Sequence, residues 1–215
     1  MFATDRDLLV LEPYLFRDHA WVGQRLARGI ASIVDGTLAF STVDVELDVA
    51  HVAAGCVVTM FGSSYEITGG VGTKTAAVSR LRPSISGPVI LLPDTEETDA
   101  WIVSFRPQIT MVHRQILRMA GIEPDAPAPI DGRLGESAIT NGMALVTLEA
   151  LGTLHLIFAA AASVAGPTSP SAIRAQMYRD LFREERRRAS VELDTDGDGL
   201  PDVARRLNVS QFVRG

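Results

Sequence analysis

The chain has 215 residues, 47% apolar and 21% charged, which is typical of a globular protein long enough to bury a core without crosslinks. Its formal net charge of −6 argues against a protein that grips nucleic acid with its whole surface. The single cysteine, Cys56, excludes an internal disulfide framework, and its apolar neighbours predict a buried residue.

The N-terminal segment, residues 1–35, is predicted to contain short helices. Thr4 and Asp7 have the spacing of a capping box, which favours a helix that begins at Asp5 and is interrupted at Pro13. A second short helix is expected over residues 16–27.

Residues 36–105 are typical of a small antiparallel β barrel or sandwich. Alternation of Val43, Val45 and Leu47 with acidic residues has the period of a half-buried strand. Further short apolar runs are separated by turn residues. We expect these strands at residues 56–60, 65–68, 75–79, 89–92 and 101–105.

The glycine-rich segment 69–72 lies between two of these strands. A phosphate-binding loop needs Gly-Lys-Thr without interruption, whereas Thr73 separates Gly72 from Lys74 here. No helix follows to direct its N-terminus at a phosphate. The segment is therefore predicted to be a hairpin turn.

Residues 106–190 are predicted to form a helical bundle. Apolar residues at three- and four-residue spacing favour a helix from Pro107 to Gly121. A proline- and glycine-rich linker follows over residues 123–135, and then a long apolar helix over residues 139–165. The ionisable side chains Glu149 and His155 favour a buried helix over a membrane span, because such groups are costly at membrane depth.

A basic helix is expected to follow the apolar one. Ser169 is a suitable N-cap and Pro170 suits the first helical position, so the helix should begin there and end near residue 190. Its end, residues 183–188, carries four arginines with Glu184 and Glu185 between them. This pattern fits a solvated helix end or an ion-pair strip between subunits, with nucleic-acid contact as the alternative.

The sharpest local motif is the acidic loop, Asp194-Thr-Asp-Gly-Asp-Gly-Leu-Pro-Asp202. Its spacing resembles the start of an EF-hand loop, with carboxylates at positions 1, 3 and 5 and glycine at position 6. Arg205 stands where the bidentate glutamate would be, so the loop is not an EF-hand. It remains either a shorter calcium loop or a turn whose side chains cap its own backbone. The candidate ligands are Asp194, Asp196, Asp198, Leu200 and Asp202.

The segment after the loop is too apolar for a terminus that makes no contacts. An extended arm of this kind can add a strand to a partner's sheet or fill a groove. We therefore predict a C-terminal docking arm within residues 191–215, with Leu207, Val209, Phe212 and Val213 as its apolar contacts.

No pattern in the sequence indicates an enzyme. The four histidines are scattered, none forms a helical metal-binding pair, and no serine lies in a nucleophile elbow. We expect each histidine to be structural and the protein to be non-catalytic. The predicted fold class is α+β, with a helical bundle, a long C-terminal helical pair, a small β barrel and an extended arm.

Three parts of the chain together resemble head–tail connector (adaptor) proteins from the necks of long-tailed bacteriophages. They are residues 7–18, residues 105–117, and residues 178–182 running on to 193–199 and 205–207. The β segment is the least distinctive part of this resemblance.

The resemblance implies a virion structural protein, present in the host cytoplasm during assembly, that forms a homo-oligomeric ring, commonly a dodecamer. Such a ring binds the portal on one side and the tail, stopper or terminator protein on the other. DNA passes through its channel without sequence-specific binding, and no membrane is involved. A calcium-dependent binding module using the acidic loop is the alternative function.

Overall fold

The computed structural model describes residues 1–124 and 134–207. As the sequence predicts, the protein is mixed α+β. Of the predicted barrel or sandwich, the structure has a barrel, with six antiparallel strands, and the described residues also form five α-helices. The chain divides into two compact units. We call Thr4–Pro107 the barrel unit, and Met1–Ala3 with Gln108–Gly215 the helical unit.

The barrel is closed, so each of its strands is paired on both sides. Its order is β1-β2-β5-β4-β3-β6, and β6 pairs with β1 to complete it. The strands are β1 Gln24–Val34, β2 Thr37–Val43, β3 Val57–Met60, β4 Ser63–Gly69, β5 Thr75–Ser79 and β6 Thr95–Ser104. The turn predicted over residues 69–72 does join two antiparallel strands, β4 and β5.

The longest strand, β1, lies in the N-terminal segment for which the sequence predicted only helices. Helix α1 is Asp5–Leu11, helix α2 is only Leu15–Asp18, and the chain is extended from Gln24. The prediction of a helix through residue 27 was therefore wrong. The residues of β1 that face the core are mainly alanines, which are too small to make the period-two pattern obvious.

Gly29 allows β1 and β2 to approach each other closely. A Cβ atom at this position would overlap the carbonyl oxygen of Thr42 on β2. The pairing register shifts immediately afterwards, between Ile30 and Ala31. Such a bulge increases the local bending and twist that closing a small barrel requires.

The barrel interior is filled by apolar side chains. Cys56 is among them, with 2% of its surface exposed, as its neighbours predicted. Two expected strands are absent from the described barrel: the chain turns at residues 46–51 instead of continuing the alternation that begins at Val43, and residues 89–92 are irregular. Leu47 and Leu92 are nevertheless buried in the core, so their hydrophobicity reflects packing rather than strand pairing.

The barrel unit also buries an ionic triad. Glu66 is fully buried and accepts a hydrogen bond from Arg6 Nε at 2.6 Å. Its other carboxylate oxygen accepts a hydrogen bond from Arg82 Nε. A buried charge is tolerated only when it is paired and hydrogen-bonded, which this arrangement provides.

The helical unit contains most of α3 and all of α4 and α5. Helix α3 is Arg106–Met119, α4 is Val146–Ala165 and α5 is Pro170–Arg188. A small hairpin follows, with β7 at Ser190–Leu193 and β8 at Val203–Arg206.

The apolar helix begins at Val146, later than the predicted residue 139. Asn141 interrupts it by bonding to β7: its amide donates to the carbonyl of Ser190, and its oxygen accepts the Glu192 N–H, both at 3.0 Å. Ile139 forms an isolated bridge with Leu193. These contacts hold residues 139–141 against the hairpin and prevent helical continuation.

Helix α4, with the turn before it, is long and apolar enough to cross a membrane by length and composition. Its most apolar 18-residue window, within residues 142–165, is 56% buried inside the protein. Glu149 and Thr153 are fully buried on this helix. At the following turn, Ser169 Oγ accepts the Ala172 N–H, and Pro170 begins α5.

Candidate functional site

The acidic loop connects β7 to β8 as the tip of the C-terminal hairpin. Residues 190–193 pair with residues 203–206, so both ends of the loop are fixed by strand pairing. The Asp202 N–H also donates to the Leu193 carbonyl at 2.9 Å and closes the base of the loop. The predicted ligands therefore lie on a defined turn.

Three of the four predicted carboxylates converge. One oxygen from each of Asp194, Asp196 and Asp202 lies within 4.8 Å of the others. Asp198 is outside this group, and its Oδ1 accepts the Leu200 N–H at 2.8 Å. The structure thus brings together three of the four carboxylates that the sequence proposed as ligands.

The converging carboxylates also cap the backbone of the loop. Asp194 accepts N–H bonds from Gly197 at 2.6 Å and from Gly199 at 2.7 Å. These bonds, that from Gly199 above all, hold the pKa of Asp194 below its ordinary value. Asp202 accepts the hydroxyl and the N–H of Thr195, both at 2.7 Å, and its pKa is lowered for the same reason.

The arginines around the loop do not neutralise its carboxylates. Arg205 donates instead to the carbonyl of Ala120 at 2.8 Å, and Arg188 pairs with Glu184 at 2.7 Å. Among the described residues, no arginine forms an ion pair with a carboxylate of the loop. Backbone N–H groups and exposure to water offset the mutual repulsion instead.

The predicted arm begins at a buried residue. Leu207 is 4% exposed, and its N–H donates to the Ala189 carbonyl at 3.3 Å, so it packs within the helical unit. Val209, Phe212 and Val213 lie outside the described residues, and their role as an arm stays a prediction.

Comparison with protein-family models, with curated proteins and with solved structures finds no match. Two further features of the chain lie in the helical unit, an apolar stripe on α5 and a buried carboxylate on α4.

Helix α5 carries an exposed apolar stripe that the sequence analysis did not identify. Ile173, Met177 and Leu181 are spaced one helical turn apart and are 68%, 44% and 43% exposed. The buried face of α5 is formed by Ala175, Tyr178 and Phe182. The helix therefore has two apolar faces. The sequence signal for the exposed face was the four-residue spacing of its apolar residues, which stand among charged ones.

The carboxylate of Glu149 organises the interior of the helical unit. It is fully buried and accepts hydrogen bonds from the N–H of Phe2 at 2.7 Å and from the N–H of Ala3. Its other oxygen lies 2.7 Å from Nδ1 of His113, which is also buried. His113 Nε2 lies 3.0 Å from Glu136.

The charge state of His113 follows from these neighbours. Burial by itself lowers the pKa of His113, but the hydrogen bond to Glu149 and the nearby carboxylate of Glu136 outweigh it, so that the pKa is raised above its ordinary value. The expectation that the histidines are structural fits His113, which links α3 to α4.

Proposed function

We propose that this chain is a structural adaptor of a long-tailed phage neck, which assembles with copies of itself as a ring between the portal and the tail or stopper. Two observations support the proposal. Three parts of the sequence resemble phage adaptor proteins, and helix α5 of the helical unit carries an exposed apolar stripe. The commonly dodecameric state and the identity of the neighbours belong to the same proposal.

The stripe of Ile173, Met177 and Leu181 is the observation that carries this proposal. Large apolar side chains aligned along one helix face and exposed to water mark a surface used for association. Charged residues on the same helix, such as Arg174 and Asp180, would form the polar rim of such a contact. In a ring, the stripe would pack against the neighbouring copy, and α4 and α5 would serve as the long C-terminal helical pair.

The negative charge of the chain supports the channel role within this proposal. With 26 acidic and 20 basic residues, a ring of identical copies carries a large negative charge. Electrostatic repulsion from phosphates would then let DNA slide through without sticking.

The test is the native mass of the purified full-length chain and of two charge-introducing variants. Because the stripe is exposed in the single chain, Met177→Glu with Leu181→Glu should leave the fold intact and abolish the oligomer. Met143→Glu is the matched control, since Met143 is 81% exposed and lies before α4 and not on α5. A monomeric wild-type chain, both alone and mixed with portal, would contradict the proposal, as would equal loss of assembly in the control.

The arm is tested by truncation. Deletion of residues 208–215 retains the buried Leu207, so the hairpin should still fold. We expect the shortened chain to form the homo-oligomer but to lose binding to the portal. Normal portal binding by the shortened chain would limit residues 208–215 to local packing.

A calcium-dependent binding module is the second candidate function. It is favoured by one observation, the convergence of oxygens from Asp194, Asp196 and Asp202 within 4.8 Å. Calcium–oxygen distances of about 2.3–2.6 Å place two ligands of one ion up to about 5 Å apart. This separation fits the group.

A further inference from the structure

A cleft of about 330 Å³ lies in the helical unit between α3, α4 and α5. Its apolar lining includes Val112 from α3, Leu156 from α4 and Phe182 from α5. Its basic side is formed by three arginines of one helix, Arg179, Arg183 and Arg186. One ligand could therefore contact apolar side chains and arginines of the cleft at the same time.

Gly152 shapes the base of this cleft. A Cβ atom there would lie 2.7 Å from Val112 Cγ1 and 2.9 Å from Phe182 Cε2. Glycine thus allows α3 and α5 to approach α4 closely at this level. The cleft follows from how the three helices pack and does not depend on a surface loop.

The three arginines project from one face of α5, because their spacing of four and three residues repeats close to the helical period. Asp180 is the acidic partner of two of them, 3.9 Å from Arg179 Nε and 3.7 Å from Arg183 Nη1. Arg186 forms no ion pair with the described residues and lies 3.8 Å from the Met119 sulfur, a weak acceptor. The cleft therefore has an excess of positive charge.

Two of these guanidinium groups also have an unused donor. The Nε atoms of Arg179 and Arg186 are buried and have no hydrogen-bond partner among the described residues. The side chain of Arg179 as a whole is 41% exposed, whereas that of Arg188 on the same helix is 72% exposed and pairs with Glu184 at 2.7 Å. Buried donors without an acceptor are costly, and an anion in the cleft would supply the acceptor.

His155 lines the same cleft and is held in one tautomer. Its Nδ1 lies 3.0 Å from the Ala175 carbonyl, which can only accept, so Nδ1 carries the proton. Nε2 remains as the second polar atom of the ring. The cleft thus combines guanidinium groups with a fixed imidazole.

We propose that this cleft binds a small organic anion, whose phosphate or carboxylate group is held by Arg179 and Arg186 while its apolar body packs on Phe182 and Leu156. Guanidinium groups match both anions in geometry and charge. The volume falls near the lower end of ligand pockets, about 300–1,000 Å³, which favours a small molecule over a macromolecular segment. This site is independent of ring assembly.

The test uses the full-length chain with phenyl phosphate, phenylacetate and the neutral benzyl alcohol as probes, followed by NMR of the arginine Nε–H groups. Saturable shifts of Arg179 and Arg186, with none at Arg188, are the expected result. The two anionic probes decide between a phosphate and a carboxylate ligand. Equal binding of benzyl alcohol, or no saturation below about 10 mM, would overturn the proposal.

Variants provide an independent readout. Arg179→Gln with Arg186→Gln should weaken binding of the preferred probe at least about tenfold, because charge-assisted bonds are lost. Arg188→Gln, which removes a positive charge from the same helix, should leave affinity unchanged. An equal loss in the Arg188 variant would show general attraction to a basic helix and would refute the site. If the double variant does not fold, the residue-specific shifts in the unmodified chain decide the question.

Discussion

Nδ1 of His113 on α3 lies 2.7 Å from the carboxylate of Glu149 on α4, and both side chains are buried. The two residues are 36 positions apart, and each interrupts an otherwise apolar helix face. Their pairing explains how α4 accommodates an acidic residue within its apolar sequence. It also makes the stability of the helical unit sensitive to substitution and to pH.

Replacement of Glu149 should strongly destabilise the helical unit. Glu149→Ala removes the acceptor for the buried His113 and Ala3 N–H and for the half-buried N–H of Phe2. Loss of one partner from a buried charged pair costs about 3–5 kcal/mol in free energy of unfolding. Urea unfolding followed by circular dichroism at 222 nm measures the change.

Glu184→Ala is the matched control for that experiment. Glu184 is on α5, its side chain is 43% exposed and it pairs with Arg188 at the surface. Exposed pairs contribute about 0–1 kcal/mol, so this variant should unfold almost like the wild type. Similar losses in the two variants would contradict the role assigned to Glu149.

The same pair predicts a dependence of stability on pH. The pKa of His113 is raised in the folded chain, so protonated His113 contributes stability that is fully present below the unfolded value of about 6.5. This contribution is lost as the pH rises through the folded pKa. In His113→Gln, the free energy of unfolding should therefore fall less than in the wild type as the pH rises above about 6.5.

The control for this pH profile is His51→Asn. His51 is exposed in the barrel unit, and its φ of 55° lies in the left-handed region, which asparagine tolerates. We expect this variant to retain the wild-type profile at 222 nm. A His113→Gln profile parallel to that of the wild type across this range would show that the pair does not govern it.

Asp5 predicts a pH effect in the barrel unit. Burial raises the pKa of Asp5 to about 6, against the opposing effect of hydrogen bonds from Ser104 and from the Phe105 N–H. The stability gained by its protonation is fully present below about 3.8 and is lost as the pH rises through about 6. The difference corresponds to about 3 kcal/mol.

Asp5→Asn should therefore gain stability relative to the wild type as the pH rises from about 4 to about 7. The asparagine oxygen can still accept the Phe105 N–H, and no charge has to be buried. Fluorescence of Trp21 and Trp101, both in the barrel unit, follows the unfolding. A stability difference that is the same at both pH values would contradict a raised pKa.

Local signals in the sequence identified much of the fold. The helix from Pro107, the N-cap at Ser169 and the turn at residues 69–72 each depend on a few neighbouring residues. The longest strand, β1, was missed because its core-facing positions are mainly alanines beside arginines and glycine. The start of α4 was placed too early because the bonds from Asn141 to the β7 hairpin are not visible in a local pattern.

For the candidate sites too, only features formed by neighbouring residues could be predicted from the sequence. The acidic loop was identifiable because all its members lie within nine consecutive positions, and three of its carboxylates do converge. The pairing of His113 with Glu149, and the cleft that joins Val112 and Gly152 to Arg186, depend on how three helices pack. These contacts join residues that are far apart in the sequence, so local patterns could not predict them.

The acidic loop is the candidate calcium site among the described residues. Asp194, Asp196 and Asp202 each supply an oxygen to the converging group, whereas Asp198 does not. Backbone N–H groups already donate hydrogen bonds to the loop carboxylates, so we expect a chelator to leave the chain folded and its native mass unchanged.

If the loop also binds calcium, millimolar calcium should raise the melting temperature, because a ligand that binds the native state stabilises it by mass action. Asp196→Asn should abolish that rise, while Asp198→Asn, the matched control, should retain it. A rise that survives in both variants would place the ion elsewhere, and no rise in the wild type would leave the three aspartates as residues that form the turn.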